Sequence, residues 1–345
     1  MGVQLIKLTA YILLNVTSST CIVFANKMVM TTYGFHFPYA LMLLHASFNF
    51  CGINIASYMG LFPQKTVPRL KITPLAFAIV AFVCLTNLNL ERQSVTFYQI
   101  TKIAVPPVVI AIEASLFGKH VTLQTSCAVA LVCFGVALAT ITDPEVVVTS
   151  TNAVIGVGSI ISAAIFQILA SRDQKALGLS SLQLLQEYSP QAAAMLSILV
   201  PFVERIGYLP ANRTSDTLLG FAYTPENTMA LIFSASCALI VVLSGFLVIG
   251  STSALTYNII GHTKTVLVLA GGSLMFGDKL TYQKVLGVSV ALAGMGWYTF
   301  GNIITSDEKA AKAAMAPPRK SPESPTKTAV SPMKPPARQH LSSTE

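Results

Sequence analysis

Apolar residues run along this chain in long blocks, not at the intervals of a half-buried helix or strand. The blocks fall near 7–30, 37–61, 73–90, 94–117, 122–142, 151–171, 188–208, 228–249, 252–277 and 281–303, with short polar stretches between them. About 20 apolar residues in helical form cover the ~30 Å hydrocarbon layer of a bilayer. That layer offers no water to backbone N–H and C=O groups, so each block is expected as a helix, and the blocks are too long for barrel strands. The pattern predicts an all-α integral membrane protein with ten transmembrane helices. No small-residue cleavage site follows the first block, so it is expected as a first span and not as a removed signal.

Part of the pattern recurs. Placing 98–140 over 257–299 superposes Tyr98 on Tyr257, Ile100 on Ile259 and Phe117-Gly118 on Phe276-Gly277. It also matches Thr122 with Thr281, Gln124 with Gln283, Gly135 with Gly294 and Thr140 with Thr299. Spans four and five thus match spans nine and ten. Five is odd, so the second copy would enter the membrane upside down. The expectation is a transporter domain, 1–305, made of two inverted five-helix repeats at about 7–142 and 151–303. Secondary carriers of that design hold substrate near mid-membrane at the repeat interface. Chance similarity between two apolar hairpins of biased composition is the competing explanation.

Composition strengthens the membrane reading. Apolar residues make up 53% and charged residues only 10%, against roughly 25% charged in a soluble domain. Mean hydropathy is +0.65. The net charge of +8 would suggest nucleic acid, but seven of the 22 Lys and Arg fall after residue 305 and most others flank spans. No basic patch interleaved with aromatics appears, so nucleic acid is not an expected partner. With the N-terminus inside, the inner loops hold Lys65, Arg69, Lys71, Lys119, Arg172 and Lys175, and the basic tail lies inside too. The tail and the 62–72 loop outweigh the outer Arg92, Arg205, Arg213, Lys279 and Lys284, placing both termini in the cytosol. Residues 306–345, rich in Lys, Ala, Pro and Ser, read as a disordered basic cytosolic tail with Ser-Pro steps at Ser321, Ser324 and Ser331. Asn212-Arg213-Thr214 fits the N-glycosylation pattern in a loop this topology makes luminal. The six cysteines sit inside apolar runs without ligand spacing, which supports neither a metal site nor a disulfide framework.

Two ionisable residues stand out. Lys102 lies about eight residues into span four and Lys264 about twelve into span nine, each within several Å of mid-bilayer at 1.5 Å rise per residue. A lysine there costs a few kcal/mol on insertion scales and is a functional candidate. The two fall in corresponding helices of the repeat, and two ammonium groups facing one cavity repel unless an anion lies between them. The residues therefore point to a doubly charged anion such as a phosphate or diphosphate. Internal pairing is the alternative, but Glu113, the one carboxylate in either span, is roughly 16 Å along the helix from Lys102. Pro106-Pro107 opens the helix ladder just beyond Lys102, as a cavity lining or as a packing kink. Gly261 and Gly271-Gly272 leave room for a ligand or a neighbouring helix. Lys27, after Asn26, is near the luminal end of span one, where snorkelling accounts for it. Glu113 and His262 are candidate hydrogen-bond or proton partners, and His45 reads as a satisfied interior histidine. No paired carboxylates, nucleophile–base set, phosphate loop or metal-ligand cluster appears, so neither catalysis nor a cofactor is expected.

With these residues in hand, the chain resembles the triose-phosphate and nucleotide-sugar transporter family of the drug/metabolite transporter superfamily over roughly residues 5–303. The resemblance is carried by Asn26-Lys27, by Asn87 and the stretch Ser94-Val95-Thr96-Phe97-Tyr98-Gln99-Ile100-Thr101-Lys102, and by Thr256-Tyr257-Asn258-Ile259-Ile260-Gly261-His262-Thr263-Lys264-Thr265 with Phe276-Gly277-Asp278. Plastid phosphate carriers of the family have Lys-Arg where this chain has Lys264-Thr265, and GDP-mannose carriers have Gly-Ala-Leu-Asn-Lys where it has Gly261-His262-Thr263-Lys264-Thr265. The Lys-Thr form looks like the UDP-sugar subgroup. The resemblance implies an antiporter that brings a UDP-sugar (UDP-xylose, UDP-galactose or UDP-glucuronate) into the Golgi lumen in exchange for UMP, with the ER membrane as the other location. A carrier of phosphorylated sugars or other organic phosphates is the alternative. Lys102 and Lys264 would hold phosphates, Thr265, Tyr98 and Tyr257 would supply hydrogen bonds or stacking, and Lys27, Asn26 and His262 complete the candidate site. The partners implied are the nucleotide sugar, the nucleoside monophosphate and the lipid bilayer, with a homodimer as candidate assembly.

Overall fold

The computed structural model describes residues 2–118, 121–141, 149–251 and 254–315. Side chains are described for all of these except 2–5, 141, 211, 246, 249–251, 254–260, 262, 299 and 302–315. The elements are α1 (Gly2–Thr31), α2 (Pro38–Tyr58), α3 (Arg69–Arg92), α4 (Val95–Ile103), α5 (Val105–Phe117), α6 (Leu123–Ile141) and α7 (Ser150–Leu177). They continue as α8 (Ser181–Val203), α9 (Pro225–Ser251), α10 (Ala254–Phe276) and α11 (Tyr282–Met315), with one 3-10 turn at Pro210–Asn212. Among the described residues there is no strand.

Each expected apolar block coincides with a helix, but the fourth is divided into α4 and α5 at Ala104. The cause is Pro106-Pro107, which lack the N–H groups that would bond the carbonyls of Lys102 and Ile103. Helix α8 begins at Ser181, well before the apolar block. Ser180 Oγ accepts from Gln183 N at 3.3 Å while Gln183 Oε1 accepts from Ser180 N at 2.8 Å, a reciprocal cap that starts the helix in polar sequence. The same helix stops at Val203, leaving Glu204 and Arg205 in the connection to α9. Helices α5 and α7 end on Gly118 and Gly178, whose φ of 60° and 58° is the left-handed conformation glycine adopts without strain.

Among the described residues, seven segments are long and apolar enough to cross a bilayer: α1, α2, α3, α4 with α5, α6, α7 and α9. In α10 the apolar stretch among the described residues is Thr263–Phe276. Large apolar side chains point outward; Leu70, Leu274 and Phe202 are 84–86% exposed. Polar residues point in: Asn15, Asn26, His45, Asn89, Thr96, Gln99, Ser234 and Ser244 are buried. Water would not tolerate so much exposed apolar surface, whereas lipid favours it and leaves hydrogen bonds and close packing to join the helices. The protein is an all-helical integral membrane protein.

Helix α1 lies along α9, α3 along α7, and α2 against α8 and α9, while α10 packs on α1 and α4. Helices α6 and α11 meet backbone to backbone. A Cβ on Gly135 would stand 2.4 Å from Ala291 N, and one on Gly287 2.5 Å from Ala139 N.

The chain forms two compact units, Met1–Ile303 and Ile304–Glu345. In the second, the segment expected as tail from Ser306 is helical as far as Met315; its Lys, Glu and Ala are good helix formers. Residues 316–345 lie outside the described residues.

Candidate functional site

Seven helices, α1, α2, α3, α4, α8, α9 and α10, surround a cavity of about 490 Å³. Its lining includes Lys102, Lys264, Thr265, Tyr98 and Asn26 of the expected site, together with Gly261. The two lysines therefore share one chamber.

Lys102 sits in the last turn of α4, where the helix dipole favours a cation. One turn earlier Tyr98 offers its ring, with Lys102 Nζ 4.3 Å from the centroid. An ammonium over an aromatic face is stabilised by the ring quadrupole without being neutralised. Tyr98, itself buried, is thus the seat of Lys102 as well as a wall of the cavity.

Lys264 comes from the middle of α10 and donates to the side-chain oxygen of Asn15 on α1. Thr265 Oγ1 lines the cavity but gives its proton to Gly261 O, 3.2 Å away on its own helix. Until that hydroxyl turns, it meets a ligand only as an acceptor. On the opposite wall Asn26 Nδ2 donates to Asn87 Oδ1 at 2.9 Å, and Ser234 Oγ donates to Asn26 Oδ1. His45 Nε2 is 2.8 Å from Ser234 Oγ. Since the serine proton is already committed to Asn26, His45 Nε2 must carry the hydrogen. The interior histidine is satisfied, as its place in the sequence suggested, and this chain of bonds joins α1, α2, α3 and α9.

Lys27 stands apart from the cavity lining. Its Nζ donates to Leu90 O at 2.8 Å and Gln93 O at 2.7 Å, capping the carbonyls at the end of α3. Snorkelling is therefore not what accommodates it. The side chains of Tyr257 and His262 lie outside the described residues, and Glu113, on α5, is not among the residues lining the cavity. Asn15, Ser234 and Tyr188 carry weight in this region and were not expected. Their signal was available for Asn15, a polar side chain in mid-span, but attention to ionisable residues alone passes over it.

A second set of contacts ties the helix ends on one side of the lysines. Asp278, in the α10–α11 turn, accepts from Thr96 N at 3.0 Å and Thr96 Oγ1 at 3.1 Å, placing a carboxylate at the N-terminus of α4. The rings of Phe24 and Phe276 approach to 6.1 Å between centroids. Phe37, at the start of α2, supplies no side-chain cap. Glu204, past the end of α8, does so instead, accepting from Tyr39 N at 2.7 Å and Ala40 N at 3.1 Å. Burial raises the Glu204 carboxyl to about 7; the two amide donors act against that shift and the charge of Glu91 adds to it.

Fold and cavity together define a membrane-embedded helical protein with an interior chamber that two lysines line. The sequence places it more closely: residues 6–299 match the Triose-phosphate Transporter family, and the chain belongs to it. It is similar to UDP-xylose transporter 2 of Arabidopsis thaliana, 32% identical over 89% of this chain and 84% of that one. UDP-xylose transporter 1 of the same plant is 33% identical over 86% and 85%. UDP-rhamnose/UDP-galactose transporter 1 is 34% identical over 83% and 81%. A crystal structure 11% identical to this chain superposes with a TM-score of 0.55, covering 83% of this chain and 97% of the other, a likeness of fold alone.

Proposed function

We propose that this protein is a carrier, not an enzyme, that moves a cytosolic UDP-sugar into the Golgi lumen in exchange for UMP. The observation that carries the reading is the placement of Lys102 and Lys264 on one cavity of about 490 Å³. Two cations held at a lipid-embedded chamber are costly unless an anion is the cargo, and the relatives similar over most of the chain are named for UDP-sugars. The ER membrane is the alternative location.

In this reading α8, α10 and α11 also cross the bilayer, giving ten crossings in two inverted repeats. Corresponding helices of the repeat support this, though the two lysines stand three residues apart in the alignment. Lys102 and Lys264 lie on α4 and α10, which pack together. Gly135 and Gly294, aligned partners, each stand against the backbone of the other's helix. With both termini cytosolic, the ties made by Lys27, Asp278 and Glu204 close the luminal end. The cavity extends the other way to Leu185 and Tyr188 in the early turns of α8, as in a carrier open to the cytosol. The tail after α11 then lies in the cytosol.

The test is uptake of labelled UDP-xylose into vesicles preloaded with UMP. Lys264→Ala is expected to abolish exchange, and Lys102→Ala to reduce it at least tenfold, while each variant keeps its fold. Full exchange by Lys264→Ala would sink the proposal. Competition by inorganic phosphate stronger than by UMP would favour a carrier of phosphorylated sugars, the reading the family name itself suggests.

A further inference from the structure

Asn15 is a fully buried amide in the first helix, outside the cavity lining yet bonded to it. Its Nδ2 donates to Ser244 Oγ at 2.9 Å and to Val241 O at 3.2 Å, both on α9. Its Oδ1 accepts from Lys264 Nζ of α10. The orientation of the amide is fixed by chemistry: a carbonyl only accepts and an ammonium only donates, so the flipped amide would set like against like at both ends. One side chain therefore fastens α1, α9 and α10 together, and it does so through the cavity lysine.

Resting on the reading of Lys264 as an anion ligand, we propose that Asn15 is its positioning residue. It is a neutral acceptor that holds the ammonium while the cavity is empty, and from which a phosphoryl oxygen of the ligand takes it. An ammonium withdrawn from water must have acceptors. A bond between two charged partners is roughly twice as strong as one with a neutral partner. An amide oxygen thus satisfies Lys264 in the empty state but yields it to a phosphate, whereas a carboxylate would compete with the phosphate on equal terms. Lys102 rests likewise on a neutral partner, the ring of Tyr98. The exchange has a mechanical result: ligand binding unfastens α10 from α1 and α9, helices that must shift if the chamber is to open on its other side.

The full chain, purified and reconstituted, tests this with Asn15→Asp and Asn15→Leu. In the absence of ligand, amines are methylated with formaldehyde and a borane, and the rate at Lys264 relative to Lys102 is read by peptide mass spectrometry. Wild type should show Lys264 several-fold slower than Lys102. Asn15→Leu should bring the two together, and Asn15→Asp should slow Lys264 further. In UDP-xylose exchange, Asn15→Asp should raise KM about tenfold or more without loss of thermal stability. Ser244→Ala, which keeps the amide oxygen, should change KM little. Should Asn15→Leu fail to fold, the near-isosteric Asn15→Asp decides alone. Unchanged methylation of Lys264 in the folded variants, or a loss of stability with KM unaltered, would reduce Asn15 to packing and overturn the proposal. If wild-type vesicles exchange no UDP-sugar at all, the nucleotide-sugar reading falls while the ligand-free methylation still decides the role of Asn15.

Discussion

The partners of the charged groups in this interior differ with position: Lys27 rests on backbone carbonyls, Lys102 on a ring and Lys264 on an amide. Where anion capture is proposed, each lysine has a neutral partner: Tyr98 for Lys102 and Asn15 for Lys264. Where helix ends are tied, the partner is Asp278 or Glu204, whose charge suits a helix N-terminus. Glu204 gives a pH dependence. Its folded value, raised to about 7 chiefly by burial, lies above the ordinary 4.5. The proton-bound form is therefore favoured by folding, and the stability it contributes is complete below about 4.5 and lost as pH rises through about 7. His36 Nδ1 lies 3.2 Å from Glu91 Oε1 in the same part of the molecule. Thermal unfolding in detergent across pH 5 to 8.5 should show the wild-type midpoint falling near neutrality. Glu204→Gln should flatten that portion of the curve. An equal slope in the variant would show that Glu204 is not the group responsible. Residues of this kind were only half legible in the sequence. Lys102 and Lys264 announce themselves because a charge in an apolar run has no bland explanation. Asn15 and Glu204 do not, since what each does depends on a partner more than 160 positions away.

Helices α6 and α11 meet backbone to backbone, because glycines leave no side chain between them. A Cβ on Gly135 would meet Ala291 N at 2.4 Å and Gly287 O at 2.6 Å, backbone atoms that cannot rotate away. Overpacking of this sort costs about 1–3 kcal/mol where side chains can adjust, and a backbone obstacle sets the upper end of that range. Gly135→Ala should therefore lower the thermal midpoint by several degrees or prevent folding. Gly296→Ala, on the same α11 but with nothing within 4 Å of its Cβ, should leave it unchanged. Equal effects from the two would show that the helices do not meet in this way. Helix placement was legible wherever apolar length decided it, and every expected block holds a helix. The division at Ala104 could be anticipated from Pro106-Pro107. The true start of α8 could not be read from hydropathy, because the cap of Ser180 and Gln183 extends that helix through polar residues.

At the scale of the whole molecule, the asymmetry of the cavity makes a claim about access. On one side of the lysines lie Lys27 on the α3 carbonyls, Asp278 on α4, Glu204 on α2 and the Phe24–Phe276 contact. On the other, the chamber continues past Ser189 and Tyr188 to Leu185, near the start of α8. A cysteine at Ser189, in a chain whose six native cysteines are replaced by alanine or serine, should then react with a membrane-impermeant maleimide applied from the side that carries the C-terminal tail. The same reagent applied from the opposite side should leave it unmodified while the cavity is empty. Saturating UMP should slow the reaction, since ligand fills the chamber and shifts the population toward the alternate opening. Equal labelling from both sides would mean a channel-like path through the molecule, and labelling only from the side opposite the tail would invert the topology. Either result would leave the lysine pair in place but remove the basis for assigning the direction of transport, because direction rests on which end those four contacts close.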